Sequence, residues 1–517
     1  MLLAELVETS AAVAATRSRL DKRALLAAAL RAAGPDEVEI VASYLSGRPR
    51  QRRTGVGWRS LTELPSPADT ATLTPAGVDA ALERIAALAG AGSQAARSEA
   101  VARLFAAATA QEQRFLRALI FGELRQGALD SLLLDAIAAA ADVPLAAVRR
   151  AAMFSALSGP IAAAALTGGA PALAAFRLEV GRPVRPMLAA SAPDVPAALA
   201  KLGGPVAADG KIDGIRVQVH RAGDDVAVFT RSLDDITDRV PELVELVAGL
   251  ETDAVVLDGE AIALDAAGRP RPFQETGSRT MSRDGAALRE QVPLTAYFFD
   301  VLHLDGADLI DAPAAERFAA LSRVVPAASI VPRRVSADPA EVQDFFRQML
   351  ERGHEGVVVK DLAAPYDAGR RGSAWVKVKP RHTLDLVVLA VEWGSGRRQG
   401  WLSNIHLGAR DGDGFVMLGK TLKNSDRSGW VPVGKTFKGM TDEMLAWQTK
   451  RFLELETHRE GRIVYVRPEQ VVEVAFDGVQ RSNRYAGGVA LRFARVVRYR
   501  DDKDASEADT IQTLRGL

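Results

Sequence analysis

The stretch Asp209-Gly-Lys211-Ile-Asp213-Gly214-Ile-Arg216 begins an alternating apolar pattern, and the interpretation of the whole chain depends on it. Asp213-Gly214 is a turn-forming pair, so Lys211 is predicted to lie on a strand beside a tight turn. A nucleophilic lysine must lose its proton below its usual pKa of about 10.4, through burial or a neighbouring cation. For an isolated Lys-x-Asp-Gly, a solvated lysine beside a hairpin is the commoner explanation. The rest of the chain has to decide between the two.

The bulk composition predicts a multidomain protein without extreme charge. A chain of 517 residues is too long for one core and suggests about three domains. Because 65 basic residues balance 65 acidic ones, a nucleic acid would have to be bound by local basic patches. The absence of cysteine excludes disulfides, thiol catalysis and cysteine-bound zinc. No signal peptide or membrane-spanning run is visible, so we expect a soluble, cytoplasmic protein with no membrane partner.

Residues 1–178 are predicted to be helical almost throughout, because alanine-rich amphipathic stretches recur between turn signals. Two short segments there have the composition of phosphate contacts. One is the basic loop at residues 47–53, and the other is the turn at residues 122–127. For each of them a solvated loop is an equally good interpretation.

The middle of the chain contains four more motifs after the Lys211 stretch, each of them weak alone. They are Asp258-Gly-Glu260, Phe299-Asp300-Val-Leu, Glu355-Gly-Val-Val-Val-Lys360 and Trp375-Val-Lys377-Val-Lys379. Separately, Asp-Gly-Glu is typical of a bulge or hairpin, Phe-Phe of a core, and Lys-Val-Lys of the solvated face of an edge strand. Together they supply a candidate nucleophile, two carboxylates able to hold Mg²⁺, an aromatic face for a base and cations for phosphates. Transfer of a nucleotidyl group needs that combination, because catalysis at phosphorus is mostly positioning and charge neutralisation.

The C-terminal third is rich in short strands with glycine turns, which favours a small β-barrel, most simply an OB-fold. Residues 414–421 and 429–436 both fit the P-loop pattern. A phosphate cradle needs a following helix, whereas these residues themselves look like strands, so we interpret them as a duplication that lengthens a hairpin.

The order of the five motifs resembles that of the covalent nucleotidyltransferases, the superfamily of polynucleotide ligases and mRNA capping enzymes. The whole chain resembles an ATP-dependent DNA ligase of the three-domain kind, most like the actinobacterial enzymes. The resemblance implies an all-α DNA-binding domain at residues 1–178 and an α+β, ATP-grasp-like adenylation domain at residues 182–381. A β-barrel OB-fold domain would follow at residues 384–517.

The resemblance also implies a role for each motif residue. Lys211 would attack the α-phosphate of ATP. Arg216 and Arg231 would contact ribose or phosphate, Glu260 the ribose or the metal, Glu355 the metal, and Phe299 the adenine. Arg371, Lys377 and Lys379 would hold the α-phosphate, and Arg500 and Lys503 the leaving pyrophosphate. The family usually has glutamate two residues before the lysine, to accept a hydrogen bond from the adenine amino group. Here that residue is Asp209, one methylene shorter, so adenine selectivity is expected to depend more on backbone contacts.

The activity implied by the resemblance is nick sealing in duplex DNA through a lysyl-AMP intermediate. ATP would be consumed, Mg²⁺ (or Mn²⁺) would be the metal, and a monomer at the nucleoid is expected. Three alternatives stay open: a capping guanylyltransferase, an RNA ligase and a non-catalytic DNA-binding protein with a decayed nucleotide site. An NAD⁺-dependent ligase is disfavoured because its zinc cysteines are absent.

Overall fold

The computed structural model describes residues 1–51, 54–61, 63–90, 92–124, 126, 130–282, 286–369, 371–380, 382–394, 398–411, 430–436, 442–482, 485 and 487–516. The chain divides into two compact units, each discontinuous in sequence. Unit 1 comprises residues 1–190, 213–332 and 360–375, and unit 2 comprises residues 191–212, 333–359 and 376–517. The predicted three-domain boundaries stay a prediction.

The helical prediction for the N-terminal third is confirmed. Its α-helices are α1 (Leu3–Ala15), α2 (Arg19–Ala32), α3 (Val38–Leu45), α4 (Pro75–Ala87), α5 (Ser93–Ala106), α6 (Ala110–Ile120), α7 (Asp130–Ala141), α8 (Leu145–Met153) and α9 (Ser158–Ala174). Side chains of Ser18, Thr74 and Thr109 cap α2, α4 and α6, because each accepts a hydrogen bond from an otherwise unpaired backbone N–H of the first turn. Small and aliphatic side chains from all nine helices share one core.

Strands and helices alternate in the middle third. They are β1 (Leu188–Ala192), α10 (Val195–Leu202), β2 (Val206–Lys211), β3 (Ile215–Ala222), β4 (Asp225–Thr230), α11 (Pro241–Ala248), β5 (Ala254–Ala263), α12 (Phe273–Met281), β6 (Leu294–Leu304), β7 (Ala307–Asp308), α13 (Ala314–Val324), β8 (Arg333–Ser336), α14 (Pro339–Glu351), β9 (Gly356–Asp361) and β10 (Arg371–Val378). In unit 1 the antiparallel order is β4-β3-β5-β6-β7, with residues of α11 and α13 in its core. A second five-stranded sheet has the order β1-β10-β9-β2-β8, and residues of α10 and α14 pack on one face of it in unit 2.

The C-terminal part is rich in sheet, as expected. Its elements are β11 (His382–Trp393), β12 (Leu402–Arg410), β13 (Trp430–Thr436), α15 (Asp442–Glu454), β14 (Glu456–Glu460), β15 (Ile463–Val466), β16 (Val471–Phe476), β17 (Gly478–Arg481), β18 (Val489–Arg492), β19 (Arg495–Tyr499) and α16 (Ile511–Arg515). A seven-stranded sheet runs β13-β12-β11-β15-β14, with β16 pairing both β11 and β19. Its long strand β11 pairs with three neighbours: residues 382–387 pair with β16, residues 390–392 with β15 and residues 387–393 with β12.

The second P-loop-like segment is a strand where the structure describes it. Residues 430–436 form β13, antiparallel to β12, so its Gly-Lys-Thr lies in a sheet and not at a helix N-terminus. The first copy, residues 414–421, lies outside the described residues. None of the helices in the described ranges has the length and apolar character needed to cross a membrane.

Candidate active site

Strand β2 presents two different faces in unit 2. Val206 and Ala208 lie in the apolar core that also includes residues of α10 and α14. Since side chains alternate along a strand, Asp209 and Lys211 project from the opposite face. Strand β10 repeats the pattern, because the flanking valines Val376 and Val378 lie in the same core. The alternation therefore turns the charged motif residues of both strands away from that core.

Glu355 binds two lysines on this polar face. Its Oε2 lies 2.5 Å from Nζ of Lys211 and its Oε1 lies 2.7 Å from Nζ of Lys379, and all three side chains are largely buried. The backbone N–H of Glu355 also donates to the carbonyl of Lys211, at 2.9 Å. Burial opposes ionisation of Glu355, but the two ammonium groups outweigh it and hold the pKa of its carboxyl below the ordinary value. The predicted nucleophile, metal ligand and phosphate ligand are thus brought together.

Glycines in two motifs stand where no side chain fits. A Cβ at Gly356 would overlap the carbonyl oxygen of Val378, and its φ of +135° is left-handed. In unit 1, a Cβ at Gly214 would overlap the carbonyl oxygen of Ala261 on β5. The glycines of the Asp-Gly and Glu-Gly pairs are therefore required because another backbone segment approaches each of them closely.

Asp209 is almost completely buried and is bound on both oxygens by Arg333. Arg333 Nε lies 2.5 Å from Oδ1 and Nη2 lies 2.8 Å from Oδ2, a bidentate fork. The two residues are directly opposite each other in the β2–β8 register. Sequence reasoning missed Arg333, because nothing near residue 333 marks it as the partner of a residue far earlier in the chain.

Arg216 is held in unit 1 by a buried network. Its guanidinium binds both oxygens of Asp258, at 3.0 and 2.6 Å, and donates to the carbonyl of Met187 at 2.5 Å. The Tyr366 hydroxyl donates to Asp258 at 2.6 Å and accepts from the N–H of Met187 at 3.0 Å. Burial, together with the Asp258 carboxylate, raises the pKa of Tyr366 well above its ordinary value, so the phenol stays a donor. The network fixes Arg216 against the segment that leads out of the helical region.

Phe299 lies in an aromatic cluster around a buried ammonium. Lys360 Nζ is 4.2 Å from the ring centroid of Trp375, 4.6 Å from that of Phe299 and 5.3 Å from that of Phe318. These are cation–π distances, and a cation on one side of a ring strengthens the packing of that ring. In the Glu355–Lys360 motif the lysine had no assigned role, and the structure shows that it supports the predicted adenine-stacking residue.

Asp300, which follows Phe299, is fully buried and paired with a fully buried Arg317. The guanidinium binds both carboxylate oxygens, at 2.7 and 3.1 Å. Asp300 therefore links β6 to α13 through an ion pair with Arg317, within unit 1.

Three other residues of unit 1 that are predicted to bind the nucleotide or metal lie on or next to strands. Arg231 is exposed immediately after β4, and Glu260 is half-buried on β5 opposite Arg216. Arg371 is the first residue of β10. On the same strand Lys377, in unit 2, is half-buried. Their contacts with a nucleotide stay predictions.

Arg500 and Lys503 lie in the C-terminal part of unit 2 and share one carboxylate. Asp385 Oδ2 is 2.9 Å from Arg500 Nη1 and 2.7 Å from Lys503 Nζ. Arg500 also forms a bidentate pair with Asp502, which lowers the pKa of that carboxyl. Both cations line a cavity of about 730 Å³ that also includes Trp447. Their predicted contact with pyrophosphate would require them to exchange these carboxylates for phosphate oxygens.

The described residues contain no group of three histidine, aspartate or glutamate side chains arranged to hold a metal. Mg²⁺ fits a sparser site, because it keeps several waters and uses one or two carboxylates together with substrate phosphates. Glu355 offers one carboxylate, whose two oxygens are paired with Lys211 and Lys379 in this structure, and its assignment as a metal ligand stays a prediction. The assignment of Glu260 as a second ligand stays a prediction.

One arginine of the N-terminal basic loop has a structural partner. Arg50 donates to both oxygens of the nearly buried Asp79 and so joins the loop to α4. Arg52 and Arg53 lie outside the described residues, as do Arg125 and Gly127 of the second predicted phosphate contact.

A strand-borne lysine facing a carboxylate and a second lysine, with the five motifs in order, is the arrangement expected of a nucleotidyltransferase. Family profiles agree along most of the chain. The profile of the ATP dependent DNA ligase domain matches residues 186–379, that of the C terminal region matches 398–503, and that of the DNA ligase N terminus matches 59–138. Proteins named "Probable DNA ligase" from Beutenbergia cavernae and Nocardioides sp. are each 62% identical over all of this chain and 99% of theirs. One from Streptomyces griseus is 58% identical over 99% of both chains. The chain belongs to the ATP-dependent DNA ligase family.

Two solved structures, named Pmar-Lig_Pre. and Pmar-Lig_PreS3, match the whole architecture. Each covers 96% of this chain and 99% of its own, with TM-scores of 0.62 and 0.61 at 17% identity. At that identity the likeness shows the fold alone, a helical N-terminal region followed by a nucleotidyltransferase domain and a sheet-rich C-terminal domain.

Proposed function

We propose that Lys211 is the nucleophile with which this ligase seals nicks in duplex DNA. The observation that carries the proposal is the Lys211–Glu355–Lys379 ion cluster on the polar face of the β2 sheet. It places an amine, a carboxylate and an additional cation within one hydrogen-bonded group. The attacking amine is thereby gathered with groups that can neutralise charge on a nucleotide phosphate.

The reaction balances in three steps. Lys211 Nζ forms a bond to the α-phosphorus of ATP, the bond from that phosphorus to the bridging oxygen breaks, and pyrophosphate leaves. The oxygen of a DNA 5′-phosphate then attacks the same phosphorus and releases the lysine. Finally the 3′-hydroxyl attacks the 5′-phosphorus, and AMP leaves with the proton balance completed by solvent.

Before the first step Lys211 must leave its pair with Glu355. The Glu355 carboxylate holds Lys211 Nζ at 2.5 Å, and an amine bound there is not free to attack a phosphate. Mg²⁺ (or Mn²⁺), held by Glu355, would supply positive charge near the phosphates. Lys379, already within reach of the same carboxylate, would turn to the α-phosphate, as would Lys377.

The remaining assignments belong to the same proposal. Phe299 would offer its ring to adenine, and Arg216 and Arg231 would bind ribose or phosphate. Arg500 and Lys503 would bind the leaving pyrophosphate after the C-terminal part turns toward the nucleotide. We also propose that the C-terminal sheet closes as an OB-fold barrel, and that the chain acts as a monomer at the nucleoid in the cytoplasm.

The decisive test replaces Lys211 by arginine and incubates the purified chain with ATP labelled at the α-phosphate. After denaturing electrophoresis, the wild-type chain should carry the label and Lys211→Arg should not. Lys201→Arg is the matched control, because Lys201 is exposed on α10 and should leave labelling unchanged. Label on Lys211→Arg would refute the proposal. Equal labelling of the wild type by GTP and ATP would favour a capping-type specificity instead.

A further inference from the structure

The segment of residues 500–509, which leads from β19 toward α16, packs on one face of β11. Leu384 and Leu386 point into the apolar core of the C-terminal sheet, so Asp385 between them projects from the opposite face. Val387 lies on that same face, in a small apolar cluster with Ala508 of the segment. The side chain of Asp385 is 12% exposed, and it therefore lies largely beneath the segment.

Asp385 binds this segment through both its side chain and its backbone. Its Oδ2 lies 2.9 Å from Arg500 Nη1 and 2.7 Å from Lys503 Nζ. Its backbone N–H donates to Asp509 Oδ2, and its carbonyl accepts from the N–H of Asp509, each at 2.8 Å. Any residue at position 385 could make the two backbone bonds. Only an acidic side chain there can attract both cations.

The two cations meet at a single oxygen atom. Arg500 uses only Nη1 for Asp385, because its Nε and Nη2 bind Asp502. Like charges repel, so a guanidinium and an ammonium group stay this close only when an anion lies between them. A phosphate oxygen is also anionic and accepts the same charge-assisted hydrogen bonds as a carboxylate oxygen. Asp385 therefore holds the two cations in an arrangement that one phosphate oxygen could also hold.

The two side-chain contacts of Asp385 can be exchanged without disturbing the segment. Each cation binds Asp385 through one nitrogen only, so rotation of a side chain is enough to break the contact. The backbone bonds between Asp385 and Asp509 stay intact when that happens. Arg500 and Lys503 also line the cavity of about 730 Å³, through which an anion can reach them.

We propose that Asp385 is a positioning residue for adenylation, which holds Arg500 and Lys503 together until a phosphate group of the leaving pyrophosphate takes its place between them. The proposal rests on the function proposed above, including the pyrophosphate role of the two cations. It deepens that function by adding a residue of β11 that lies outside the five motifs and does not itself bind the nucleotide.

The test measures two steps of the reaction separately on the full-length protein. Formation of the Lys211 adduct from ATP labelled at the α-phosphate reports on adenylation, whereas sealing of a pre-adenylated nick does not involve pyrophosphate. Asp385→Asn keeps the shape of the side chain and removes its charge. Its kcat/KM for adduct formation should fall roughly ten- to a hundredfold, the loss expected when binding groups are misplaced. Sealing of the pre-adenylated nick should stay at the wild-type rate.

The reverse of adenylation gives a second measurement of the same effect. Pyrophosphate added to the labelled adduct should regenerate ATP and remove the label from the protein. In Asp385→Asn this discharge should slow by the same factor as adduct formation, because both directions pass through one transition state.

Glu473→Gln is the matched control. Glu473 is directly opposite Asp385 on β16 and so projects from the same face of the sheet, but it pairs with Arg498. Its adduct formation should equal that of the wild type. In Lys503→Ala one of the two cations is already missing, so adding Asp385→Asn should cost less than it does in the wild type.

Asp385→Glu retains the charge but moves the oxygens by one methylene, so it should fold and show a smaller loss that is again confined to adenylation. If Asp385→Asn does not fold, Asp385→Glu provides the comparison of the two steps. Equal losses in adduct formation and in nick sealing would show a merely structural role and overturn the proposal. Unchanged or faster adduct formation in Asp385→Asn would overturn it as well, since Asp385 would then be dispensable or would compete with pyrophosphate.

The function proposed for Lys211 would survive each of these outcomes, because the adduct would still form on Lys211. That function fails only if the wild type forms no adduct or Lys211→Arg still forms one.

Discussion

The substitution Asp300→Asn would remove one charge from an ion pair that has no access to solvent. Both Asp300 and Arg317 are 0% exposed, and the guanidinium is also bound to the carbonyls of Ala312 and Ala364. Asparagine keeps the shape and one acceptor, but it turns an amide NH₂ toward the guanidinium. The variant therefore leaves a buried cation without its counter-charge.

The expected loss of stability follows from that burial. Removing one partner of a buried ion pair costs about 3–5 kcal/mol, because the remaining charge is neither solvated nor paired. Since about 1 kcal/mol moves the unfolding midpoint of a large domain by roughly 2–4 °C, the midpoint should fall on the order of 10 °C. Adduct formation should weaken as well, because Asp300 follows Phe299 on β6.

The assay is thermal unfolding of the full-length variants, followed by circular dichroism, with ATP adduct formation measured on the same samples. Glu245→Gln is the control. It breaks the exposed pair with Arg289, which solvent screens, so its midpoint should stay at the wild-type value. A midpoint of Asp300→Asn equal to that of the control would refute the reasoning.

A second variant separates the lost charge from the lost contact. Asp300→Leu combined with Arg317→Met replaces both charges with apolar groups, and such replacements are often neutral or stabilising. The double variant should therefore recover part of the stability lost in Asp300→Asn. A double variant less stable than the single one would show that the hydrogen bonds of Arg317 to the carbonyls outweigh its charge.

Three further outcomes are expected. Gly214→Ala should abolish adduct formation and lower the midpoint, because the new Cβ would collide with the carbonyl of Ala261; activity near the wild-type level would contradict the close approach. Burial lowers the pKa of His220 to about 3, so the stability that the neutral imidazole contributes is complete above pH 6.5 and is lost as the pH falls toward 3. In His220→Asn, the free energy of unfolding should therefore change less with pH over that window. The same slope in the variant and the wild type would argue against a buried neutral imidazole. Arg500→Ala should block adduct formation from ATP yet still seal a pre-adenylated nick, since its predicted role concerns only pyrophosphate; normal adduct formation would remove that role.

Local sequence was sufficient to predict the type of secondary structure in each region of the chain. Helical periodicity with turn signals predicted the helical N-terminal third, and alternation in Val376-Lys377-Val378-Lys379 predicted a strand with both lysines on one face. The collinear motifs also included Glu355 and Lys379, which lie together with Lys211 in the structure. These features are local, because they depend on the period of a helix or strand and on turn chemistry.

Which residues far apart in the chain contact each other was decided only by the tertiary structure. Arg333 meets Asp209 because β8 lies antiparallel to β2, and no periodicity encodes which strands become neighbours. Lys360 ends an apolar run of valines, and its burial follows only from the rings of Phe299, Phe318 and Trp375 that pack around its Nζ. Asp300 belongs to one of the five motifs, and its burial against Arg317 of α13 gives it a structural role. Sequence by itself determined the elements and the chemical inventory, whereas burial and pairing, which set the charge state and freedom of each group, arise only when distant segments pack together.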